Sequence, residues 1–281
     1  MTADGHGPHV SIIVPVFNAG AYLTEALDSV AAQTYRDYEV VIVDDGSTDA
    51  LTLAALDRAR HAAGVTVIRT ENRGPAAARN LAIEHARGAY VLPLDADDYL
   101  ASAFLARTVP VLDASPDVGV VYTWVGLVGS HHGTWRTGGF TLQELLSRCT
   151  IHVTSLYRRR IWSEVGGYDP RFVESSEDWD LWLGAAALGW TGRCVPEVLA
   201  YYRRHARSRE VRARTPEGSA QRMRLLVSKH RALYEAHLER GIGDLYAQLV
   251  QAGVALERIY HHPAIRLAVR LRAFFRPSSR P

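Results

Sequence analysis

The chain contains 281 residues, of which 47% are hydrophobic and 22% are charged, a composition typical of a globular protein with one large domain and an appendage. Its net charge is only +2. The two cysteines, Cys149 and Cys194, lie far apart and do not have metal-ligand spacing, which excludes a disulfide framework and a zinc site. The sequence shows neither a signal peptide nor a run of ~18 apolar residues, so we expect a cytoplasmic protein.

Short apolar runs alternate with helical patterns over residues 9–100. The predicted strands are residues 11–16, 38–43, 65–68 and 90–94. The predicted helices are residues 22–33, 51–63 and 76–86. The strands are rich in β-branched residues, as in strands buried on both faces, and the helices carry apolar residues at helical spacing. This alternation is typical of βαβ units, so we predict an α/β protein with a Rossmann-like, doubly wound and mostly parallel sheet.

The loops after the predicted strands exclude two common phosphate-binding motifs. Residues 15–20 read PVFNAG and lack the G-x-G-x-x-G pattern of dinucleotide-binding proteins. A G-x-x-x-x-G-K-[ST] loop is also absent, and the only lysine of the chain is Lys229. Phosphate would therefore have to be bound by arginine and a metal ion. The second loop, residues 44–49, contains Ser47 and Thr48, which are suited to capping the helix that follows.

Three carboxylates follow the fourth predicted strand, at Asp95, Asp97 and Asp98. Side chains just past a buried strand emerge at the carboxyl edge of the sheet, where open α/β sheets bind ligands. Asp95 and Asp97 are suited to sharing one Mg²⁺ or Mn²⁺ ion, since hard cations prefer oxygen ligands. The alternative is a loop cluster without a ligand. Asp98 itself is expected to cap the next helix.

The C-terminal part of the sequence is basic and helical. Residues 217–260 have a helical pattern that we expect to break at residues 241–243, which read Gly-Ile-Gly. Residues 264–276 mix arginines with apolar residues, a pattern suited either to peripheral binding at the inner face of an anionic membrane or to packing on the domain. No aromatic residues interleave with the arginine run at residues 203–214, so we expect no nucleic-acid partner.

Seven short blocks of the sequence resemble the inverting glycosyltransferases of family 2, which have the GT-A fold. The first four are residues 11–18 (SIIVPVFN), 44–49 (DDGSTD), 74–80 (GPAAARN) and 95–98 (DADD). The other three, on the acceptor side, are residues 166–169 (GGYD), 177–181 (EDWDL) and 202–205 (YRRH). The resemblance implies a GT-A domain over residues 1–208, with a nucleotide-binding half at 9–100 and an acceptor-side half at 101–208. Residues 209–281 then form a basic helical appendage.

The resemblance implies a donor site. The implied nucleotide-binding residues are Pro15, Phe17, Asn18, Asp45, Arg79, Asp95 and Ala96. The implied ligands of Mn²⁺ or Mg²⁺ are Asp97, Asp95 and His205. Asp45 is expected to accept a hydrogen bond from the base. Without the resemblance, Arg79 is equally compatible with an exposed helix arginine, and His205 with a surface histidine.

The resemblance also implies an acceptor site at the start of a helix. Transfer with inversion is a single displacement, so a base must take the proton of the acceptor hydroxyl as the new bond forms. Asp178 is the implied base, Glu177 and Trp179 are the implied acceptor contacts, and Asp180 is the reserve candidate. From the residues alone, Ser175 and Asp178 also have the spacing of a helix-capping motif.

The implied function is a metal-dependent inverting glycosyltransferase. It would move a hexose from a nucleotide sugar, with UDP as the expected nucleotide, to a hydroxyl of a glycan or lipid-linked acceptor, as in cell-surface polysaccharide synthesis. One alternative is a glycan-binding or scaffold protein that retains the fold. The other is a sugar-nucleotide pyrophosphorylase, which predicts a Gly-rich loop after the first strand that residues 17–20 do not contain.

Overall fold

A computed structural model of the chain describes residues 8–173, 175–205 and 215–261. The strands are β1 (Val10–Val16), β2 (Tyr38–Asp44), β3 (Val65–Arg69), β4 (Tyr90–Pro93), β5 (Tyr99–Leu100), β6 (Val118–Gly129), β7 (Gly133–Trp135), β8 (Leu156–Arg158) and β9 (Thr191–Arg204). The helices are α1 (Tyr22–Ala31), α2 (Ala50–Arg60), α3 (Pro75–His85), α4 (Phe104–Ala114), α5 (Leu142–Ser147), α6 (Arg159–Val165), α7 (Glu177–Ala187), α8 (Pro216–Lys229), α9 (Arg231–Ala236) and α10 (Leu238–His261).

The described strands form one mixed sheet in the order β3-β2-β1-β4-β8-β6-β9-β5, with β7 beside β6. The strands β3, β2, β1 and β4 are parallel, as are β6 and β9, whereas β8 is antiparallel to both of its neighbours. Central β1 is buried almost throughout, because parallel strands and helices cover it on every side. The prediction of an α/β fold with a mostly parallel sheet is confirmed.

The first four predicted strands and three predicted helices are all present. The largest difference in their bounds is at the end of α2, which stops at Arg60. Its cap also differs from the prediction, since the Asp49 carboxylate, rather than Ser47 or Thr48, accepts the hydrogen bond from the Thr52 amide at 2.9 Å. The carboxyl ends of β1, β2 and β4 meet at one edge of the sheet, and the acidic loops follow there.

The predicted helix break at residues 241–243 is wrong. Helix α10 runs through both glycines, and the interruptions fall instead at His230 and His237, on either side of α9. Glycine weakens a helix interior by about 1 kcal/mol, which is too little to interrupt a long helix. No described helix is long and apolar enough to cross a membrane.

Contacts between Cα atoms divide the chain into two compact units, one ending at Arg231 and the other beginning at Ala232. The first unit contains the whole sheet and helix α8, and the second contains most of α9 and α10. The predicted boundary at residue 208 stays a prediction. The segment 264–276, predicted to bind a membrane or to pack on the domain, lies outside the described residues.

Candidate active site

The loop after β4 gathers three carboxylates. Asp95, Asp97 and Asp98 each place one oxygen within 4.8 Å of the others. Burial and the adjacent Asp95 raise the pKa of Asp97, while His205 opposes that shift. Closely spaced, partly buried oxygen donors suit a hard divalent cation, which would relieve their mutual repulsion. The donor set therefore fits the predicted Mn²⁺ or Mg²⁺ site.

The end of β9 brings His205 to this loop. Its Nε2 atom lies 3.0 Å from Asp97 Oδ2, and its ring stacks on Tyr22 with the ring centroids 5.6 Å apart. Arg203, two residues earlier, donates from Nε to the Asp97 carbonyl at 3.0 Å and places its guanidinium 4.7 Å from the Tyr22 ring centroid. His205, the implied metal ligand, is thus held beside the acidic loop by its own contacts with Asp97 and Tyr22 and by the contacts of Arg203.

Asp98 connects the acidic loop after β4 to the end of β9. Its carboxylate is buried, with Oδ1 accepting the Arg203 backbone N–H at 2.8 Å and Oδ2 lying 3.8 Å from His152 Nε2. Helix α4 begins after Ala103 without a side-chain cap. The expectation that Asp98 caps this helix is therefore wrong, because the carboxylate points to β9 and satisfies a strand amide there.

Arg79 of α3 joins the two acidic regions of the chain. Its side chain is only 1% exposed, and it donates from Nη1 to Glu177 Oε1 at 2.6 Å and from Nη2 to Asp95 Oδ1. Burial alone would lower the pKa of Arg79, but Asp95 and Glu177 raise it well above the usual arginine value. The alternative of an exposed helix arginine is wrong. Its role in nucleotide binding stays a prediction. Among the described residues, no hydrogen-bond partner meets its buried Nε atom.

Asp178 lies in the first turn of α7. Burial and the neighbouring Glu177 raise its pKa to about 7, and Arg79 opposes this shift. Its Oδ1 atom accepts the Trp179 backbone N–H at 2.8 Å, which fixes the orientation of the carboxylate. A carboxylate with a pKa near neutrality is suited to accept a proton from a hydroxyl group.

The entry to α7 is strained where its acids begin. Ser176 precedes the helix with a φ of +81°, in the left-handed region that non-glycine residues rarely adopt, and its side chain does not cap the helix. The predicted capping role of Ser175 and Asp178 is not observed, since Asp178 accepts the adjacent Trp179 amide. Such strain costs about 1–3 kcal/mol and is concentrated at functional sites.

Asp180 has a different environment. It is fully buried, and its two oxygens lie 2.6 Å from Lys229 Nζ and 2.7 Å from His230 Nε2. Lys229 also lies 3.2 Å from Asp169 Oδ2, so the single lysine of the chain joins α7 to the GGYD block. Both oxygens of Asp180 are therefore engaged by basic groups, which disfavours it as the reserve base.

The nucleotide end of the predicted site is held by side chain to backbone hydrogen bonds. Asn18 Oδ1 accepts the amides of Thr48 at 2.8 Å and Asp49 at 3.1 Å. Asp45 accepts the amides of Arg73 and Gly74, each at 2.8 Å. These contacts fix three loops at the sheet edge, so both side chains have structural partners here and their nucleotide contacts stay predictions.

The remaining predicted residues differ in exposure. Phe17 is 51% exposed, Pro15 is partly exposed and Ala96 is buried. Trp179 is partly buried, and its Nε1 donates to the Leu145 carbonyl of α5 at 2.6 Å. An exposed aromatic ring at the end of β1 is available to a ligand, whereas the Trp179 indole is already used in packing. Acceptor contact by Trp179 stays a prediction.

Three residues near the site were missed in the sequence. Tyr22 contacts His205, the buried Tyr168 lies under the Arg79 guanidinium at 5.6 Å, and Asn80 accepts the Tyr168 amide at 2.8 Å. Tyr22 fits the apolar stripe of α1, so periodicity assigned it to packing. Tyr168 lies in the block at residues 166–169 and Asn80 in the block at residues 74–80. Their membership of these blocks was the signal that could have marked them as site residues.

Comparisons with known proteins identify several glycosyltransferases as relatives. Residues 11–166 match the sequence model of the family described as "Glycosyl transferase family 2". A "PGL/p-HBAD biosynthesis glycosyltransferase" from Mycobacterium bovis BCG is 35% identical over 176 residues, which are 62% of this chain and 68% of the relative. The "Uncharacterized glycosyltransferase EpsJ" from Bacillus subtilis is 42% identical over 100 residues, 36% of this chain and 29% of EpsJ.

A third relative is also known in three dimensions. The Staphylococcus aureus "Poly(ribitol-phosphate) beta-N-acetylglucosaminyltransferase TarS" is 30% identical over 247 residues, which cover 83% of this chain and 43% of TarS. The crystal structure of S. aureus TarS 1–349 in complex with UDP-GlcNAc aligns with a TM-score of 0.64 at 25% identity, over 78% of this chain and 65% of that one. This chain thus spans less than half the length of EpsJ and of TarS.

Proposed function

Because this chain belongs to glycosyltransferase family 2, we propose that it transfers a hexose or N-acetylhexosamine from a UDP-sugar to a hydroxyl group, with inversion at the anomeric carbon. The observation that carries the proposal is the Arg79 bridge between Asp95 and Glu177. It joins the acidic loop after β4 to the start of α7, where Asp178 has a pKa of about 7. Donor-side and acceptor-side carboxylates therefore form one connected cluster.

The donor side of the proposed reaction must hold a nucleoside diphosphate. Asp97, Asp95 and His205 would hold a divalent cation, Mn²⁺ or Mg²⁺, which supplies Lewis-acid stabilisation of the leaving diphosphate. The chain's own contribution is to fix these ligands, since Arg203 and Asp98 hold the end of β9 against the acidic loop. Phe17, exposed at the end of β1, is the proposed stacking contact for the base.

The acceptor side must remove a proton. In the proposed displacement the acceptor oxygen forms a bond to the anomeric carbon while the bond from that carbon to the diphosphate breaks. The hydroxyl proton passes to Asp178, whose raised pKa suits that transfer near neutral pH. Glu177, held by Arg79, orients the acceptor, and an α-linked donor gives a β-linked product.

The substrate class is proposed from the relatives. TarS is named as a β-N-acetylglucosaminyltransferase of poly(ribitol-phosphate) and was crystallised with UDP-GlcNAc, and the mycobacterial relative is named for PGL/p-HBAD biosynthesis. We therefore place the acceptor of this chain among cell-surface glycans or lipid-linked intermediates. Family membership favours this enzyme over both alternatives, the glycan-binding or scaffold protein and the sugar-nucleotide pyrophosphorylase.

A thermal-shift panel of nucleotide sugars, with and without Mn²⁺, tests the donor side. A ligand that binds only the native state raises the melting temperature by mass action. We expect UDP-sugars to raise it more in the presence of Mn²⁺, and we expect Asp97→Ala to remove that Mn²⁺-dependent increment while keeping the unliganded melting temperature. A panel in which no nucleotide sugar raises the melting temperature would contradict the proposal, and an unchanged increment in Asp97→Ala would remove Asp97 from the metal site.

We also propose that residues 264–276 bring the protein to an anionic membrane. The segment contains four arginines, each worth about 1 kcal/mol near a charged leaflet, together with Phe274 and Phe275. Co-sedimentation with anionic vesicles at low salt is expected to weaken in the full-length Phe274→Ser/Phe275→Ser variant. Equal partition of the variant and the unchanged protein would favour packing on the domain.

A further inference from the structure

The first turn of helix α1 lies against the end of β9. Tyr22 and Glu25 are three residues apart, which places them on the same side of the helix. The Tyr22 ring contacts the side chains of His205 and Arg203, and the Glu25 carboxylate forms an ion pair with Arg203. Both residues of α1 are exposed, Tyr22 at 38%. The start of α1 is thus joined to the strand end that carries an implied metal ligand.

Pairing within the sheet does not orient the His205 side chain. Strand β9 ends at Arg204, which pairs with Gly129 of β6, and His205 is the next residue. A histidine that binds a metal needs neighbours that fix the orientation of its ring. Two neighbours of His205 are the Asp97 carboxylate, 3.0 Å from Nε2, and the Tyr22 ring. A cation shared by Asp97 and His205 would replace their direct contact, whereas the contact with Tyr22 would persist.

The stack of Tyr22 on His205 restrains the imidazole ring. The two rings lie 17° from parallel, with their centroids 5.6 Å apart. This arrangement hinders rotation of the imidazole, while its Nε2 edge faces Asp97. Tyr22 is itself held by the Arg203 guanidinium, 4.7 Å from its ring centroid, and Arg203 donates from Nε to the Asp97 carbonyl at 3.0 Å. The contacts therefore form a closed circuit that begins and ends at Asp97.

We propose that Tyr22 is a positioning residue of the metal site, which fixes the plane of the His205 ring so that Nε2 and the Asp97 carboxylate share one divalent cation. This inference rests on the proposed function, because it concerns the cation that would hold the leaving diphosphate. Tyr22 acts through His205 in this arrangement. Its removal should therefore weaken metal binding and leave the metal-free affinity for the nucleotide unchanged. A tyrosine that stacks on the nucleotide itself would instead lower the metal-free affinity when it is removed.

Calorimetric titration of Mn²⁺ into the full-length protein, with UDP in excess, measures the expected effect. We expect Tyr22→Ala to weaken Mn²⁺ binding by about 10–100-fold, the usual result of losing a residue that orients a metal ligand. Tyr22→Phe should retain most of the Mn²⁺ affinity, because the ring makes the contacts with His205 and Arg203. Titration of UDP without metal should give the same affinity for the unchanged protein and both variants.

Steady-state kinetics and a stability control separate positioning from general damage to the fold. Tyr22→Ala should raise the Mn²⁺ concentration that gives the half-maximal rate and leave kcat at saturating Mn²⁺ nearly unchanged. The matched control is Leu27→Ala, at a partly buried position of α1 that packs against the hydrophobic core. It should lower the melting temperature at least as much as Tyr22→Ala, because it removes core packing, but keep the Mn²⁺ affinity of the unchanged protein.

A double-mutant cycle with His205→Ala tests the route from Tyr22 to the metal. Tyr22→Ala should have no further effect on Mn²⁺ affinity in the His205→Ala protein. Equal effects in both backgrounds, unchanged Mn²⁺ affinity in Tyr22→Ala, or an equal loss in Leu27→Ala would each overturn the inference. Weaker metal-free UDP binding in Tyr22→Ala would also overturn it and make Tyr22 a nucleotide contact. An unchanged protein that binds UDP no better with Mn²⁺ would instead contradict the proposed metal site, and this inference with it.

Discussion

Two pairs of adjacent acids, at residues 44–45 and 177–178, have opposite environments. Asp44 and Asp45 follow β2, and every oxygen of their carboxylates has a partner: Asp44 binds the Ser47 amide and Arg69, and Asp45 binds the Arg73 and Gly74 amides. At the start of α7, Glu177 and Asp178 share the influence of one buried guanidinium, and the pKa of Asp178 is raised to about 7. The same residue types thus build a hydrogen-bonded loop in one region and the proposed proton acceptor in the other.

The difference lies in the donors that each pair meets. Backbone amides stabilise the charged form of a carboxylate and hold it in place, whereas burial beside a second carboxylate stabilises the protonated form. Adjacent acids after a buried element are therefore not by themselves evidence of chemistry. The hydrogen-bond partners of the two acids decide whether their role is structural or chemical. The following predictions test that distinction, from the largest expected effect to the smallest.

Removing the Arg79 guanidinium, which Asp95 and Glu177 share, should have the largest effect, a loss of stability. Arg79→Met leaves Glu177 and Asp95 close together without their guanidinium, and breaking a buried ion pair from one side typically costs about 3–5 kcal/mol. We expect a clear drop in melting temperature, measured by calorimetry. The control Arg79→Met/Glu177→Gln should recover much of that stability, because it removes one orphaned charge. A variant Arg79→Met as stable as the unchanged protein would show that the bridge is not required.

Neutralising the proposed base should reduce the rate of transfer without changing the fold. Asp178→Asn keeps an oxygen that accepts the Trp179 amide, but it cannot take a proton. We expect kcat to fall roughly 10²-fold or more, the usual contribution of a general base, with UDP-sugar affinity unchanged by calorimetry. Retention of most activity would assign the proton transfer to another group.

The pH dependence of transfer should report the same carboxylate. Asp178 must be deprotonated to act, and its pKa of about 7 predicts that kcat/KM falls about tenfold per pH unit below that value. The environment of Asp178 also makes folding pH-dependent, since the folded state binds a proton that the unfolded state has lost between about pH 4 and pH 7. Asp178 thus lowers the stability as pH rises through that window. A rate profile flat from pH 5.5 to 8 would contradict the assignment.

Asp45→Asn should have the smallest effect on catalysis. Its amide can accept only one of the two hydrogen bonds from Arg73 and Gly74, so we expect a loss of about 1 kcal/mol of stability. Calorimetric titration with UDP-sugar separates the structural role from the predicted contact with the base. Affinity that falls much more than the stability would restore Asp45 as a direct nucleotide contact.

The sequence predicted what depends on local pattern. Periodicity located β1 to β4 and the helices between them, and the position of Asp95 and Asp97 after a buried strand placed them at the sheet edge. The bridge from Arg79 to Glu177 was not predictable, because 98 residues separate the two and only the folded sheet brings α3 beside α7. The cap at Asp49 was missed because serine, threonine and aspartate are nearly equivalent caps, and the backbone geometry makes the choice.

The contact of Lys229 with Asp180 sets an order of events during synthesis of the chain. Asp180 is buried in α7, but its basic partners lie 49 and 50 residues later. At ~5–20 residues per second, a ribosome needs about 2–10 s to reach them after it has added Asp180. During that interval, α7 cannot pack in its final position with the Asp180 carboxylate both buried and paired. We therefore expect the acceptor-side half to reach its final packing only after helix α8 has emerged, later than the β1–β4 half, whose loop contacts lie close together in the chain.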